Sequence, residues 1–289
     1  MRGAPGHHGW MRFVTLNTWG MRGDWREREA RLRDRVEQLG PDIMTLQETV
    51  RTPGSHQARR LLGDGFHLAE GQERELGRAG APPGQGITTA SRWPYGKVLE
   101  VDLNITERTG GFACTCLITE ILAPEPLGRI WVANHFPDYR LDHERERRLQ
   151  TAAVARELEE LVTTWPGHVV IAGDMDADAQ ADCIRFLTGR HVIDDFSVCY
   201  RDAWEAVHPH QPLTTYSPSN PYQEAPDWPF RGIDHVMVRC ADAGPTLLTA
   251  SCTRVFDLGP DTISDHYGLA VEYELPPPDR SRSAATASG

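Results

Sequence analysis

The sequence predicts an α/β fold in which mixed, mostly antiparallel sheets pack as a sandwich with helices on the outside. Three observations carry this. The order strand, helix, strand occurs twice, and that order places parallel strands side by side beneath a covering helix. Between and after these units come strand-like runs separated only by turn residues, which favours antiparallel neighbours. The 289 residues are 39% hydrophobic and 25% charged, enough to close a large core and unlike a collagen-like, coiled-coil or disordered polymer.

Taken in order, Arg12 to Gly20 is a β-rich run, and Trp25 to Leu39 places Ala30, Leu32, Val36 and Leu39 at helical spacing among charges. Gly40-Pro41 stops that helix. Asp42 to Thr49 resumes as a buried strand. The same unit recurs as Arg129 to Phe136, Asp142 to Thr164 and His168 to Ala172. The strand candidates Ile87 to Ser91, Lys97 to Ile105 and Phe112 to Leu122 lie between the two units. Ile233 to Arg239, Leu247 to Phe256 and His266 to Leu275 follow them. Gly71 to Gln85, Pro209 to Arg231 and Pro276 to Gly289 read as irregular. The expected organisation is a flexible N-terminus over 1–10, one domain over 11–275 and a disordered tail over 276–289.

Composition narrows the function classes. A net charge of −11 argues against a broad, non-specific grip on polyphosphate, although it leaves room for a local basic groove. No apolar run approaches the roughly 18 residues of a membrane span, and Met1 to Trp10 does not read as a secretory signal. Six cysteines without Cys-x-x-Cys spacing read as packed, reduced thiols, with Cys114 and Cys116 on one sheet face. The expectation is a cytoplasmic monomer.

Polar, titratable or metal-capable residues recur where the apolar runs end. Asn17, Glu48, His135 and Asp174 each follow such a run, Asp234 precedes one, and Ser264-Asp265-His266 opens the last. Any one is explained by a strand emerging into water. Together they supply carboxylates for a hard cation, imidazoles for proton transfer and amides to fix oxygens.

The ordered set Asn17, Gln47-Glu48, Asn134-His135, Gly173-Asp174-x-Asp176, Ile233-Asp234-His235 and Ser264-Asp265-His266 resembles the endonuclease/exonuclease/phosphatase family, the deoxyribonuclease I-like superfamily. That resemblance implies a four-layer α/β sandwich of two mixed, mostly antiparallel sheets packed face to face. It also implies Mg²⁺-dependent hydrolysis of phosphoric esters by direct attack of water on phosphorus. Glu48, with Asn17 and Asp265, would hold Mg²⁺, with Mn²⁺ as the alternative ion. Asp234 would orient His266, Asp174 would orient the attacking water, and His135 would donate to a phosphate oxygen or the leaving group.

One position departs from the family pattern. Asp176 stands where the family carries Asn, and an ionised carboxylate cannot donate to a phosphate oxygen. Asp176 therefore recruits a second metal, holds a proton among neighbouring acids, or weakens catalysis; the first two are favoured.

Trp19, two residues after Asn17, shares its side of the strand by alternation. It takes a place where apurinic-site endonucleases carry an acid, which argues against that subfamily. Trp19 either packs in the core or stacks on substrate. Tyr222, Trp228, Phe230 and Arg231 in the loop Pro218 to Arg231 could hold a base, a ring or a lipid edge, or pack over the sheet. The arginines of 22–35 and 140–156 read mostly as solvated, salt-bridged faces, with Arg140, Arg145 and Arg148 as the phosphate-contact candidates. Ser264 lacks the Gly-x-Ser-x-Gly setting of a nucleophile.

The expected substrate is a small or medium phosphate ester or diester, with nucleic acid as the alternative partner. Sphingomyelinase action is less expected, because no apolar membrane-inserting hairpin is evident. The competing class is a non-catalytic phosphate-binding module of the same fold.

Overall fold

A computed structural model describes residues 9–71, 84–109, 114–223 and 227–277. The expectations for residues 1–8, for 278–289 and for most of Gly71 to Gln85 lie outside them.

The first half runs β1 (Trp10–Asn17), α1 (Trp25–Leu39), β2 (Ile43–Thr52), β3 (Ser55–His56), α2 (Gln57–Leu62), β4 (His67–Glu70) and β5 (Gln85–Ser91). The second begins with β6 (Tyr95–Asp102), β7 (Thr115–Leu122), β8 (Arg129–Phe136), α3 (Glu144–Thr164) and β9 (His168–Asp174). It continues through α4 (Asp182–Leu187), β10 (Tyr200–Asp202), α5 (Ala203–Val207), β11 (Asp234–Ala241), β12 (Gly244–Pro245), β13 (Leu248–Val255) and β14 (Gly268–Glu274).

These strands make two seven-stranded sheets. One has the order β13-β14-β1-β2-β5-β4 with β3 beside β2; the other has β10-β11-β9-β8-β7-β6 with β12 beside β11. Among the described strands, only β1–β2 and β8–β9 pair in parallel, and each pair is bridged by a long helix. The last strand returns to the first, because β14 pairs antiparallel with β1.

Alternation along the strands builds the layers. Phe13, Ile43, Val132, Val170, Val236 and Val271 meet between the sheets. The outward-facing Val14, Leu16, Met44 and Leu46 pack under Leu32 and Val36 of α1. On the other side, Trp131, Ala133, Val169 and Ile171 pack under Ala155, Leu158 and Leu161 of α3. Full burial of each large side chain contributes about 1.5–3 kcal/mol. Helix α1 stops where Gly40 takes φ 56° and donates its N–H to the Val36 carbonyl, a left-handed cap that glycine adopts without strain.

Cys114 and Cys116 are buried in the cluster under α3, and burial pushes the Cys114 thiol up to about 12, so it stays protonated and unreactive. No helix among the described residues is long and apolar enough to cross a membrane. Arg28 corrects the expectation of solvated arginines on α1. It is 2% exposed and donates to the carbonyls of Thr18, Gly20, Arg22 and Ile263.

Candidate active site

The ends of β1 and β9, the middle of β2, the start of β11 and the turn before β14 meet at one rim of the sandwich, around a cleft of about 300 Å³. Asn17 is the cross-piece. Its Nδ2 donates to Asp174 Oδ2 at 2.9 Å and to Glu48 Oε1 at 3.3 Å, joining the two sheets through one amide. Its Oδ1 accepts the Trp19 N–H at 3.0 Å. Ser264 Oγ donates to the Asn17 carbonyl at 2.7 Å and accepts the His266 N–H at 3.2 Å, so its hydroxyl fastens the last turn to the first strand.

His266 sits between two acids. Its Nδ1 lies 3.0 Å from Asp234 Oδ2, and its Nε2 lies 3.7 Å from Asp174 Oδ2. Burial alone would lower the imidazole pKa, but the charges of Asp234 and Asp174 outweigh it and hold His266 well above the usual histidine range. Burial, and then the charge of Asp176, raises the Asp174 carboxyl as well, so the Asp174–His266 pair holds a proton at neutral pH. Asp174, Asp234 and His266 also lie close enough to share a cation. Because both ring nitrogens already face carboxylates, a proton satisfies this group without a metal.

Glu48 and Asp265 face the cleft beside this pair. Glu48 accepts from Gln85 Nε2 and, at 3.2 Å, from Arg22 Nη1. Burial raises the Asp265 carboxyl to about 6, and the nearby Glu48 charge adds to the effect. Two carboxylates that line one cleft and offer only oxygen suit a hard divalent cation such as Mg²⁺.

Asp176 takes φ 48°, a left-handed conformation uncommon outside glycine, and burial raises its carboxyl to about 6. Its backbone is held from both ends. Its N–H donates to Asp174 Oδ1 at 3.2 Å, and Arg231 Nη2 donates to its carbonyl at 2.9 Å. The next carbonyl, that of Ala177, lies 2.9 Å from His235 Nε2, while His235 Nδ1 lies 3.0 Å from Asp202 Oδ2. A carbonyl only accepts, and a carboxylate does the same, so His235 carries both protons. Burial opposes that charge, but the Asp202 bond and its charge overcome it, and the His235 pKa is raised.

Strand alternation decides which predicted residues reach the cleft. In β2, Ile43, Thr45 and Gln47 belong to the inter-sheet face, so alternation would turn Glu48 away. The β2–β5 pairing shifts register between Leu46 and Thr49, and Glu48 takes φ 58°; this bulge swings its carboxylate into the cleft. In β8 the pairing with β7 is unbroken, so Asn134 faces the other sheet and His135 points back under α3. There His135 Nε2 lies 3.4 Å from Thr151 Oγ1, and burial lowers its pKa to about 3. His135 is thus not in the cleft. The residue that reaches it from β8 is Phe136, two positions after Asn134.

The walls are aromatic. Trp19, Phe136, Tyr139, Tyr216, Tyr222 and Trp228 all line the cleft, with Arg22 and Gln223. Strand β1 ends at Asn17, so Trp19 arrives by a left-handed turn at φ 55° instead of by alternation. Phe230 stacks on Tyr216, and Arg231 serves the Asp176 backbone; neither lines the cleft. Nor do the phosphate-contact candidates. Arg140 is paired with Asp138 at 2.6 Å, the exposed Arg145 with Glu146 at 3.2 Å, and Arg148 is half-buried on α3.

Arg22, Phe136, Tyr139, Tyr216 and Gln223 escaped the sequence reading. Position two after Asn134 was the available signal for Phe136. For Arg22 it was that the helical pattern starts only at Trp25. Tyr216, bridged to both Arg231 and His266, left no sequence signal.

A model of the endonuclease/exonuclease/phosphatase family matches residues 14–266. No curated protein sequence matches the chain. Among solved structures, TDP2 from D. rerio complexed with single strand DNA product superposes with a TM-score of 0.71 at 16% identity, covering 92% of this chain and 99% of that one. The endonuclease/exonuclease/phosphatase from Bacteroides vulgatus gives 0.71 at 17%, with 92% and 99% covered. The human Nocturnin catalytic domain with bound sulfate anion gives 0.70 at 15%, with 93% and 94% covered. At these identities the likeness speaks for the fold, the same two-sheet sandwich.

Proposed function

The chain belongs to the endonuclease/exonuclease/phosphatase family, and on that footing we propose that it is a divalent-metal-dependent hydrolase of phosphoric esters. The observation that carries the reading is His266, held by Asp234 and facing Asp174, in a cleft that two further carboxylates line.

Glu48 and Asp265 would hold Mg²⁺ or Mn²⁺, with the Asn17 amide fixing Glu48. Such an ion supplies Lewis-acid neutralisation of the charge that builds on the phosphoryl oxygens. The remaining work falls to the protein's own groups. Asp234 fixes the ring of His266 through Nδ1, leaving Nε2 to share its proton with Asp174 across the cleft. Asp174 accepts a proton from the incoming water, and protonated His266 stabilises the charge on phosphorus-bound oxygen. Arg22 adds a fixed positive charge on the Glu48 side. With its carboxyl near 6, Asp176 approaches a phosphate oxygen as a protonated donor in mildly acidic solution.

The test is release of p-nitrophenol from p-nitrophenyl phosphate and bis(p-nitrophenyl) phosphate, with Mg²⁺, with chelator, and with His266→Ala. We expect chelation to abolish turnover and His266→Ala to lower it about 10²–10⁴-fold. Equal traces for wild type and variant would assign the cleft to a binding module instead.

A further inference from the structure

Four of the six cysteines are sealed in the packed layers: Cys114, Cys116, Cys183 and Cys252 are each no more than 1% exposed. Cys199 and Cys240 are not. Cys199 is exposed and Cys240 is half-buried, so the expectation of six packed thiols fails at both. Cys240 lies in β11, and Cys199 comes immediately before β10, an edge strand of its sheet among the described residues. The antiparallel register that pairs Tyr200 with Arg239 sets the two cysteines opposite each other, and the Cys240 N–H donates to the Cys199 carbonyl at 2.8 Å. Residues opposed in this way put their side chains on one sheet face. Here the Cys240 thiol is hydrogen-bonded to that of Cys199.

Opposed residues of an antiparallel ladder stand about 5.5 Å apart at Cα when hydrogen-bonded, inside the range that disulfides span. Their Cβ atoms stand about 4.5–5.5 Å apart, against about 3.5–4.5 Å in a disulfide, so closure draws the two strands slightly together. Strand β10 can follow, because it has three residues and a neighbour on one side alone among the described strands. The exposed Cys199 is the thiol that meets a reagent. Burial, and then the charge of Cys199, pushes the Cys240 thiol up to about 11, so Cys240 stays protonated while its neighbour is free. Once Cys199 is in a mixed disulfide it carries no charge, and the nearby Arg201 and Arg239 then favour the Cys240 thiolate. The cleft is remote from this chemistry, since Asp234 opens β11 six positions before Cys240, about 20 Å along the strand.

We propose that Cys199 and Cys240 form a reversible oxidation site, which a low-molecular-weight disulfide closes into a cross-strand bond that pins β10 to β11. The Cys199 thiolate attacks one sulfur of the reagent, breaks its S–S bond and releases one thiolate. Cys240 then gives its proton to solvent, attacks the Cys199 sulfur and releases the second thiolate, so two protein thiols are oxidised as one external disulfide is reduced. A solvent-exposed bond of this kind is readily reversed by a dithiol. In the test, folded protein is incubated with oxidised glutathione at about pH 8, quenched with acid and mapped by mass spectrometry without reductant. We expect a Cys199–Cys240 cross-link, a fall from six titratable thiols to four in denaturant, and full recovery with dithiothreitol. Cys240→Ser should stop at a glutathione adduct on Cys199, and Cys199→Ser should form no cross-link. Amide exchange at Arg201 and Asp202 should slow about tenfold or more in the bridged protein. A wild type that stops at adducts, bridges other cysteines or gains no protection in β10 would overturn the site. Should a variant fail to fold, the wild-type map decides. None of these readouts needs turnover, so their outcome is independent of the hydrolase reading.

Discussion

Strands β2 and β8 hold equivalent places in the two sheets, yet they deliver their polar residues differently. Each pairs in parallel with the other strand of its crossover unit, and each carries two adjacent polar residues, Gln47-Glu48 and Asn134-His135. In β2 a bulge with Glu48 at φ 58° sends both neighbours forward. Gln47 donates to Asn134 Oδ1 at 2.7 Å between the sheets, and Glu48 enters the cleft. In β8 the ladder is regular, and one of the two is lost to the back. Strand β11 follows the β8 pattern, with Asp234 in front against His266 and His235 behind against Asp202. Adjacency in sequence is therefore not adjacency in a site: an unbroken strand gives the cleft every second residue, and only a backbone irregularity gives it two in succession.

Residues in front then govern rate, and residues behind govern stability. The largest expected effect lies behind. His235→Ala leaves the buried Asp202 without its charged partner, with only the Glu205 N–H on its other oxygen, and should cost about 3–5 kcal/mol in urea unfolding. The raised pKa of His235 gives this contribution a sign: it is complete below the unfolded value of about 6.5 and is lost as pH rises through the folded value. A wild-type advantage that grows with pH would break the assignment. Next comes the contrast on which the comparison was drawn. Glu48→Gln should lower kcat/KM about 10²–10³-fold, whereas His135→Gln should lower it less than about tenfold. Equal losses would mean that His135 reaches the substrate after all. The smallest effect is expected at Asp176. Its carboxyl is raised by burial to about 6, so the ionised form destabilises the fold above that pH. Asp176→Asn should be more stable than wild type at pH 8 by about 1–3 kcal/mol, with the difference vanishing below about pH 4. Identical unfolding curves at pH 8 would place Asp176 in water.

Much of this was legible in the sequence. Apolar spacing marked α1 and its Gly40 stop, and strand ends rich in acids, amides and imidazoles marked the rim. The elements that were missed, α4, α5 and β10 among them, are too short to show a period. The Glu48 bulge is a pairing event between β2 and β5, so nothing in the local sequence announces it. Arg28 repeats on the apolar stripe of α1 at the position before Leu32 and Val36, but a charged side chain there reads as surface until the carbonyls that receive it are seen. The reverse error befell His135, where the motif outweighed the period of two.

The hydroxyl of Ser264 on the Asn17 carbonyl spans 247 positions of chain, and β1 lies between β2 and β14. During synthesis β1 leaves the ribosome with one flank bare and must wait until β14 has been made before its other neighbour exists. A chain interrupted before β14 thus cannot assemble the cleft.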